Sequence, residues 1–231
     1  MKNLNIFSFI TEYENAKSGG LLNVPNVSFV DEDSSVRYLL ENIPTHNGYE
    51  YVDLGLPSGL KWATCNVGAS NPQDYGLYFA WGETTGYTAE QVTSKVRLFN
   101  EASYTGSAIS TDLTLEQDAA HANLGGKWRM PTDAEYQELI NNCDMVWTDD
   151  YNGTGVKGKV FTSKVNGNSV FFPAAGRGEY SSVNYVGRFG RYQSTSCYSD
   201  SIALILLLDS GSQKVGTAER WEGYSVRGVF K

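Results

Sequence analysis

The sequence contains few of the residues that most often bind metals or act as nucleophiles. Its 231 residues include only three cysteines and two histidines. Cys65, Cys143 and Cys197 are an odd set without metal-ligand spacing, which indicates buried free thiols and not a disulfide framework. His46 and His121 lie far apart in the chain, one in a linker and one in a predicted helix. The sequence therefore predicts no zinc site and no cofactor.

The sequence also has little positive charge and no long apolar run. Lys and Arg number 18 against 26 Asp and Glu, for a net charge of −8. Nucleic acids and anionic membranes require a basic surface, so neither is an expected partner. No segment approaches a membrane span, and the apolar run at 6–10 is too short for a signal peptide. Aromatic residues make up 13% and glycines number 24, which favours a folded chain of short strands and turns.

The clearest helix start lies at Thr132. Glu135 follows three residues later, the spacing of a capping box, in which each side chain bonds the backbone N–H of the other residue. The apolar residues that share one helical face are Tyr136, Leu139, Ile140 and Cys143. We expect this amphipathic helix to pack on a body rich in β-strands. A second capping box, Thr114 with Gln117, predicts a short helix with Leu115, Ala119 and Ala122 on one face.

Short strands are predicted throughout the remainder. Segment 49–69 contains two strands around a Pro-Ser-Gly turn, and Asn166-Gly167 between apolar runs predicts a hairpin of 159–165 with 169–172. Further strands are expected near 191–195, 202–208 and 224–230. The polar segment 84–111 is interpreted as a long surface loop.

The most apolar run, 202–208, permits two interpretations. In a strand, Leu204, Leu206 and Leu208 point to one side, whereas Ile205 and Leu207 point to the other. Either both faces are covered by protein, or one apolar face is exposed and forms a binding surface.

Residues 1–44 differ from the rest and are predicted to be an N-terminal arm. Segments 26–30 and 36–40 flank an acidic turn, which predicts a hairpin. A lone hairpin is marginally stable, so the arm should pack on the main body, a virion partner or a second copy. The turn residues at 44–48 mark the boundary to a domain of residues 45–231.

Several motifs support a structural interpretation better than a functional one. Gly153–Gly158 matches G-x-G-x-x-G but precedes a predicted hairpin, whereas a dinucleotide site requires a helix there. The acidic runs 31–33 and 149–150 are interpreted as solvated turns, with weak calcium binding as the alternative. Cys197 is a conceivable nucleophile, but neither histidine is near it in sequence. Arginines concentrate in the last quarter of the chain: Arg177, Arg188, Arg191, Arg220 and Arg227.

A set of stretches resembles a known family: 51–69, 78–83, 128–132, 168–176 and 223–227. In this order they resemble the Fibrobacter succinogenes major paralogous domain, which is abundant in gut Bacteroidetes and their phages. The resemblance implies an α+β domain of C-type-lectin-like fold, related to the formylglycine-generating enzymes. Such a domain has two helices packed on short antiparallel sheets with long loops. The copper-binding cysteine pair of those enzymes has no counterpart here, so the resemblance implies no enzymatic activity. The Glu-Pro-Asn calcium motif by which true C-type lectins bind carbohydrate is also absent.

One branch of this fold is the target of diversity-generating retroelements, which rewrite adenines in codons near the 3′ end of a gene. The chain departs from the family pattern in this region, with Gln193 where Trp is usual and with Ile205 and Leu207 where polar residues or Tyr are common. Rewriting the adenines of AAC or AAT never yields Gln, Glu, Lys, Met or Trp, so Gln193, Glu219, Trp221 and Glu222 would be fixed. The candidate variable, ligand-binding residues are Arg188, Phe189, Arg191, Tyr198, Asp200, Ile205 and Leu207.

The leading hypothesis is therefore a non-enzymatic protein that binds a protein or glycan receptor on a cell surface. It would be a diversified recognition protein of a gut Bacteroides phage or its host, located on the virion or the cell surface. The first alternative is a structural or adhesive surface module of a gut bacterium. The second is an oxidase or hydrolase relative, which would require a metal or a reactive thiol.

Overall fold

The computed structural model describes residues 43–231, and its helices are short. They are α1 (Ala89–Thr93), α2 (Ala119–Leu124) and α3 (Asp133–Asn142). The 3-10 turns are Glu101–Ser103, Gly106–Ala108, Leu115–Gln117 and Tyr151–Gly153. None of the described helices has the length and apolar character needed to cross a membrane. The hairpin predicted at 26–40 lies outside the described residues, and the division into an arm and a domain stays a prediction.

The described strands form four small sheets. In chain order they are β1 (Thr45–His46), β2 (Tyr49–Asp53), β3 (Lys61–Asn66), β4 (Cys143–Thr148), β5 (Gly158–Ser163), β6 (Ser169–Pro173), β7 (Arg177–Glu179), β8 (Ser182–Asn184), β9 (Gly190–Cys197), β10 (Ile202–Leu208), β11 (Gln213–Glu219) and β12 (Arg227–Phe230). The sheet orders are β1-β2-β3-β12, β4-β5-β6, β7-β8 and β11-β10-β9, and every paired strand is antiparallel. The architecture is thus mixed α+β with small antiparallel sheets and three short helices.

The capping box at the start of α3 is confirmed. The Glu135 amide donates to Thr132 Oγ1 at 3.2 Å, and the Thr132 amide donates to the Glu135 carboxylate at 2.8 Å. Tyr136 and Leu139 of this helix are fully buried in the main core with Trp62. The helix ends at Asn142, because the chain turns there into β4.

The hairpin predicted at Asn166-Gly167 is also confirmed. Strands β5 and β6 pair over 158–173, and the loop 163–168 that joins them contains Gly167 with a φ of +77°. Phe161 and Phe172 of this hairpin contact each other edge to face in the main core.

Segment 84–111 is not wholly a surface loop, and that prediction was wrong in part. It contains α1 and two 3-10 turns, and Val92 and Phe99 are fully buried. The signal for α1 was a further capping box, Thr88 with Gln91, which the structure forms. The predicted apolar face of α2 also needs correction, since Leu115 and Ala122 are exposed and Asp118 caps the helix instead.

Strand β10 is covered on both sides, which decides between the two interpretations of the apolar run. Leu206 and Leu208 pack into the main core, which includes α3. On the opposite face, Ile205 packs with Ala218 and Tyr224. Leu207, at the end of this second face, is only partly buried. This partly open end leads to the candidate site.

Candidate functional site

Strands β9 and β10 bring together four of the seven residues predicted to bind ligand. Leu207 lies directly opposite Arg191 in the antiparallel register. Phe189 and Arg188 precede β9, and the guanidinium carbons of Arg188 and Arg191 lie 5.0 and 5.5 Å from the centre of the Phe189 ring. These distances are typical of cation–π contacts. Two arginines, an aromatic ring and a leucine therefore lie together at one end of strands β9 and β10.

The other three predicted residues lie elsewhere. Tyr198 and Asp200 are exposed in the turn between β9 and β10, at the opposite end of both strands. Ile205 is 1% exposed and packs on Tyr224, so its side chain is not available to a ligand in this structure. The predicted residues therefore do not form a single surface.

The hairpin of β7 and β8 adds aromatic side chains that sequence reasoning missed. Gly178 and Gly223 exchange backbone hydrogen bonds of 2.7 and 2.9 Å, which join the hairpin to segment 221–225. Across this junction the rings of Tyr180 and Trp221 lie 5.7 Å apart. On the other side of β8, Tyr185 lies 5.4 Å from Phe189. No pattern near residue 180 distinguishes these tyrosines from those of an ordinary polar loop.

Tyr180 and Tyr185 have an unusual backbone conformation. Their φ angles are +52° and +63°, in the left-handed region that favours glycine. Tyr180 also occupies the first position of the two-residue turn between Glu179 and Ser182, where glycine is usual. Their side chains are nevertheless 59% and 45% exposed. Burial of the rings therefore does not account for aromatic residues at these strained positions, and strain of this kind is concentrated at functional sites.

We use the name aromatic–arginine surface for the residues Tyr180, Tyr185, Arg188, Phe189, Arg191, Leu207 and Trp221. Beneath it lies a buried carboxylate, Glu222, which is 4% exposed. Arg177 Nη1 contacts Glu222 Oε1 at 2.6 Å, and the Tyr224 hydroxyl donates to Glu222 Oε2. Burial raises the pKa of Glu222, although the Tyr224 hydrogen bond and the Arg177 charge oppose the change. The network holds segment 221–225 against the β7–β8 hairpin.

Buried polar atoms without a hydrogen-bond partner concentrate in the elements that form this surface. Seven such side-chain atoms occur in the described part of the chain, and five of them belong to Arg177, Arg191, Gln193, Trp221 and Ser225. Backbone hydrogen bonds connect Ser225 to both Arg191 and Gln193, which places these residues side by side. Buried polar groups are nearly always satisfied in native proteins, by protein, water or ligand. Such a concentration is what a site for a polar ligand provides.

A small cavity opens at the end of the sheet beside Arg191. Its volume is about 100 Å³ and its lining residues are Phe189, Gly190, Arg191, Leu207, Leu208, Asp209, Ser212 and Lys214. A larger and more open groove of about 580 Å³ follows the outer side of α3. It is lined by Pro57, Asp133, Ala134, Gln137, Glu138, Asn141, Asn142 and Val215. The groove has neither arginine nor aromatic side chains, so we regard the smaller cavity as the better candidate.

The motifs set aside in the sequence have structural roles. The stretch 153–158 joins a 3-10 turn to β5 and opens no helix. The Cys197 thiol accepts a hydrogen bond from Arg220 at 2.8 Å, and all three cysteines are free. His46 stacks on Phe230 with ring centres 4.3 Å apart. Within residues 43–231, no group of three or more His, Cys, Asp or Glu side chains is arranged to hold a metal ion.

Two further arginines are structural, since each is fully buried and hydrogen-bonded. Arg227 donates to Asn66 and to the carbonyls of Ala63, Thr64 and Phe171. Arg220 lies over the Trp81 ring at 4.1 Å. The arginine-rich last quarter thus divides into buried residues that hold the strands together and partly exposed ones at the surface.

No protein family, curated protein or solved structure matches the chain. The class that the structure defines is a mixed α+β protein with an exposed surface of aromatic and arginine side chains. The resemblance given above stays a prediction.

Proposed function

We propose that this chain is a non-enzymatic ligand-binding protein that recognises a receptor on a cell surface through its aromatic–arginine surface. In this proposal the fold is C-type-lectin-like and the chain is related to the Fibrobacter succinogenes major paralogous domain. The protein acts on a virion or a cell surface, as the recognition component of a gut Bacteroides phage or its host.

The observation that carries this proposal is the presentation of exposed tyrosines on strained backbone beside arginines. Tyr, Trp and Arg are the residue types that most often anchor protein interfaces. Here Tyr180 and Tyr185 extend from a hairpin that backbone hydrogen bonds fix to segment 221–225. A rigid scaffold that holds large side chains in solvent lowers the entropy lost on binding.

The position in the chain supports diversification of the same surface. Arg188, Phe189, Arg191 and Leu207 all have codons that adenine rewriting can reach, and they meet at one end of β9 and β10. Gln193 and Glu222, which such rewriting cannot produce, are buried beneath them. The proposed gene would thus vary exposed residues and retain those that support them.

Binding to envelope fractions from a panel of gut Bacteroides strains tests the proposal. Immobilised wild-type protein should retain the envelope material of at least one strain. Tyr180→Gly and Tyr185→Gly should each weaken retention about tenfold or more, since they remove candidate anchors. Tyr198→Gly is the matched control, because Tyr198 is at least as exposed as the other two tyrosines but lies at the opposite end of strands β9 and β10. Retention of no fraction, or equal retention by all four proteins, would overturn the proposal.

A further inference from the structure

Two cationic side chains line the small cavity beside Phe189, although the whole chain is acidic. They are Arg191 and Lys214, and none of the ion pairs found in residues 43–231 involves them. The acidic residue in the lining, Asp209, accepts a hydrogen bond from the Gly211 amide through Oδ1. The lining therefore carries two cations against one carboxylate, and the buried Glu222 also interacts electrostatically with Arg191. An excess of positive charge remains in the lining.

The strand register places Arg191 and Lys214 on the same face of the sheet. Leu207 of β10 lies opposite Arg191 of β9 on one side and opposite Lys214 of β11 on the other. Directly opposed residues of antiparallel strands project from the same face of a sheet. Arg191 and Lys214 thus flank Leu207. The spacing between neighbouring strands puts their backbones roughly 10 Å from each other. Like charges at this distance repel, and an anion between them would relieve the repulsion.

Arg191 has hydrogen-bonding capacity that the protein does not use. Its Nε is buried without a partner, and its guanidinium lies against the Phe189 ring. A guanidinium presents parallel N–H donors that match the two oxygens of a carboxylate. The cavity volume of about 100 Å³ is several times the space that one water molecule needs, which leaves room for one such group. Phe189 and Leu207 provide apolar walls for the carbon that bears it.

We infer that this cavity is an anion subsite, in which Arg191 and Lys214 bind a carboxylate attached to an apolar or ring carbon of the ligand. The inference rests on the proposed function and assigns a charge to the ligand. An acidic amino acid side chain and an acidic sugar share this chemistry.

Benzoate and its neutral counterpart benzamide are suitable probes. In NMR titrations of ¹⁵N-labelled protein, benzoate should shift the amide signals of Arg191, Leu207 and Lys214 saturably, and benzamide should not. Arg191→Gln and Lys214→Gln should each weaken benzoate binding about tenfold or more. Lys95→Gln, which removes an exposed charge far from the cavity in sequence, should leave it unchanged. Equal response to both probes, or full binding by both cavity variants, would overturn the inference.

Two further arms separate the source of the carboxylate from the wider proposal. N-acetylglutamate amide and glucuronate, each compared with its uncharged amide, should both bind more tightly than the neutral form. The compound that binds more tightly identifies the ligand as an acidic peptide or an acidic sugar. If neither compound binds more tightly than its uncharged amide, the inference is overturned. Retention of envelope material that depends on Tyr180 and Tyr185 but not on Arg191 would leave the proposed function intact and refute the anion subsite alone.

Discussion

Paired substitutions of Tyr180 by Gly and by Ala measure the backbone strain at the proposed binding surface. Both substitutions remove the same ring, so the loss of ring contacts cancels in the comparison. At a φ of +52°, the methyl group of Ala is unfavourable by about 1–2 kcal/mol. The greater freedom of Gly in the unfolded chain offsets about 0.5–1 kcal/mol of this. We therefore expect the difference to lie within about 0–1.5 kcal/mol, centred at roughly 0.75 kcal/mol, in favour of the Gly variant.

The same comparison at two other tyrosines gives a replicate and a control. Tyr185, with a φ of +63°, should again favour Gly by a similar amount. Tyr198 is 66% exposed and its φ is not positive, so Ala should be the more stable there by about 0.5–1 kcal/mol. The sign of the difference between the Ala and Gly variants thus depends on backbone conformation and not on exposure.

Urea unfolding at 25 °C, fitted with a common m-value, resolves differences of this size. The assay is informative because the two variants at each position differ by one methyl group. If Ala were more stable than Gly at positions 180 and 185 by the same margin as at position 198, these tyrosines would not be strained. The argument that their conformation reflects a binding role would then fail.

Two further predictions concern the scaffold. Burial opposes ionisation of Glu135, but hydrogen bonds from Arg129 and from the Thr132 amide outweigh it and lower the pKa of this carboxyl below 4.5. The ionised carboxylate therefore stabilises the fold at neutral pH. This stabilisation is lost as the pH falls through the lowered pKa. In urea unfolding, Glu135→Gln should accordingly lower the free energy of unfolding by about 1–2 kcal/mol at pH 7 and by much less at pH 3. An equal loss at both pH values would contradict a stabilising ion pair between Glu135 and Arg129. Burial raises the pKa of Cys143 to about 11. Iodoacetamide at pH 8 should therefore modify this thiol more slowly in the native protein than in urea, as followed by mass spectrometry. Equal rates would contradict its burial.

The sequence predicts elements whose signals are local. The Asn166-Gly167 turn and the capping boxes at Thr132 and Thr114 form as expected, because each depends on residues within four positions of one another. Strand β11 was missed for the opposite reason. Its sequence, 213–219, contains Gly216 and has no apolar alternation. Its residues are extended because β10 pairs with them along its whole length.

The candidate site was predicted only in part for a similar reason. Arg188, Phe189 and Arg191 lie close together in sequence, within the region proposed to vary, and were selected because adenine rewriting of AAC or AAT can produce their codons. Tyr180 and Tyr185 were not among the selected residues, and their importance depends on φ angles that composition does not reveal. The burial of Ile205 depends on Tyr224, which lies nineteen positions later and reaches it only through the sheet.

The arrangement of buried and exposed residues explains how such a surface can change without loss of the fold. The arginine Arg227 and the aromatic residues of the main core are buried away from solvent and fix the strands. The exposed surface residues Tyr180, Tyr185 and Arg188 contribute little buried area, so replacing them should have small effects on stability. Ile205 differs, since substitution there would leave a cavity beside Tyr224. A diversified gene should therefore accept changes at Arg188 and Arg191 more readily than at Ile205, even where the codons of all three permit them.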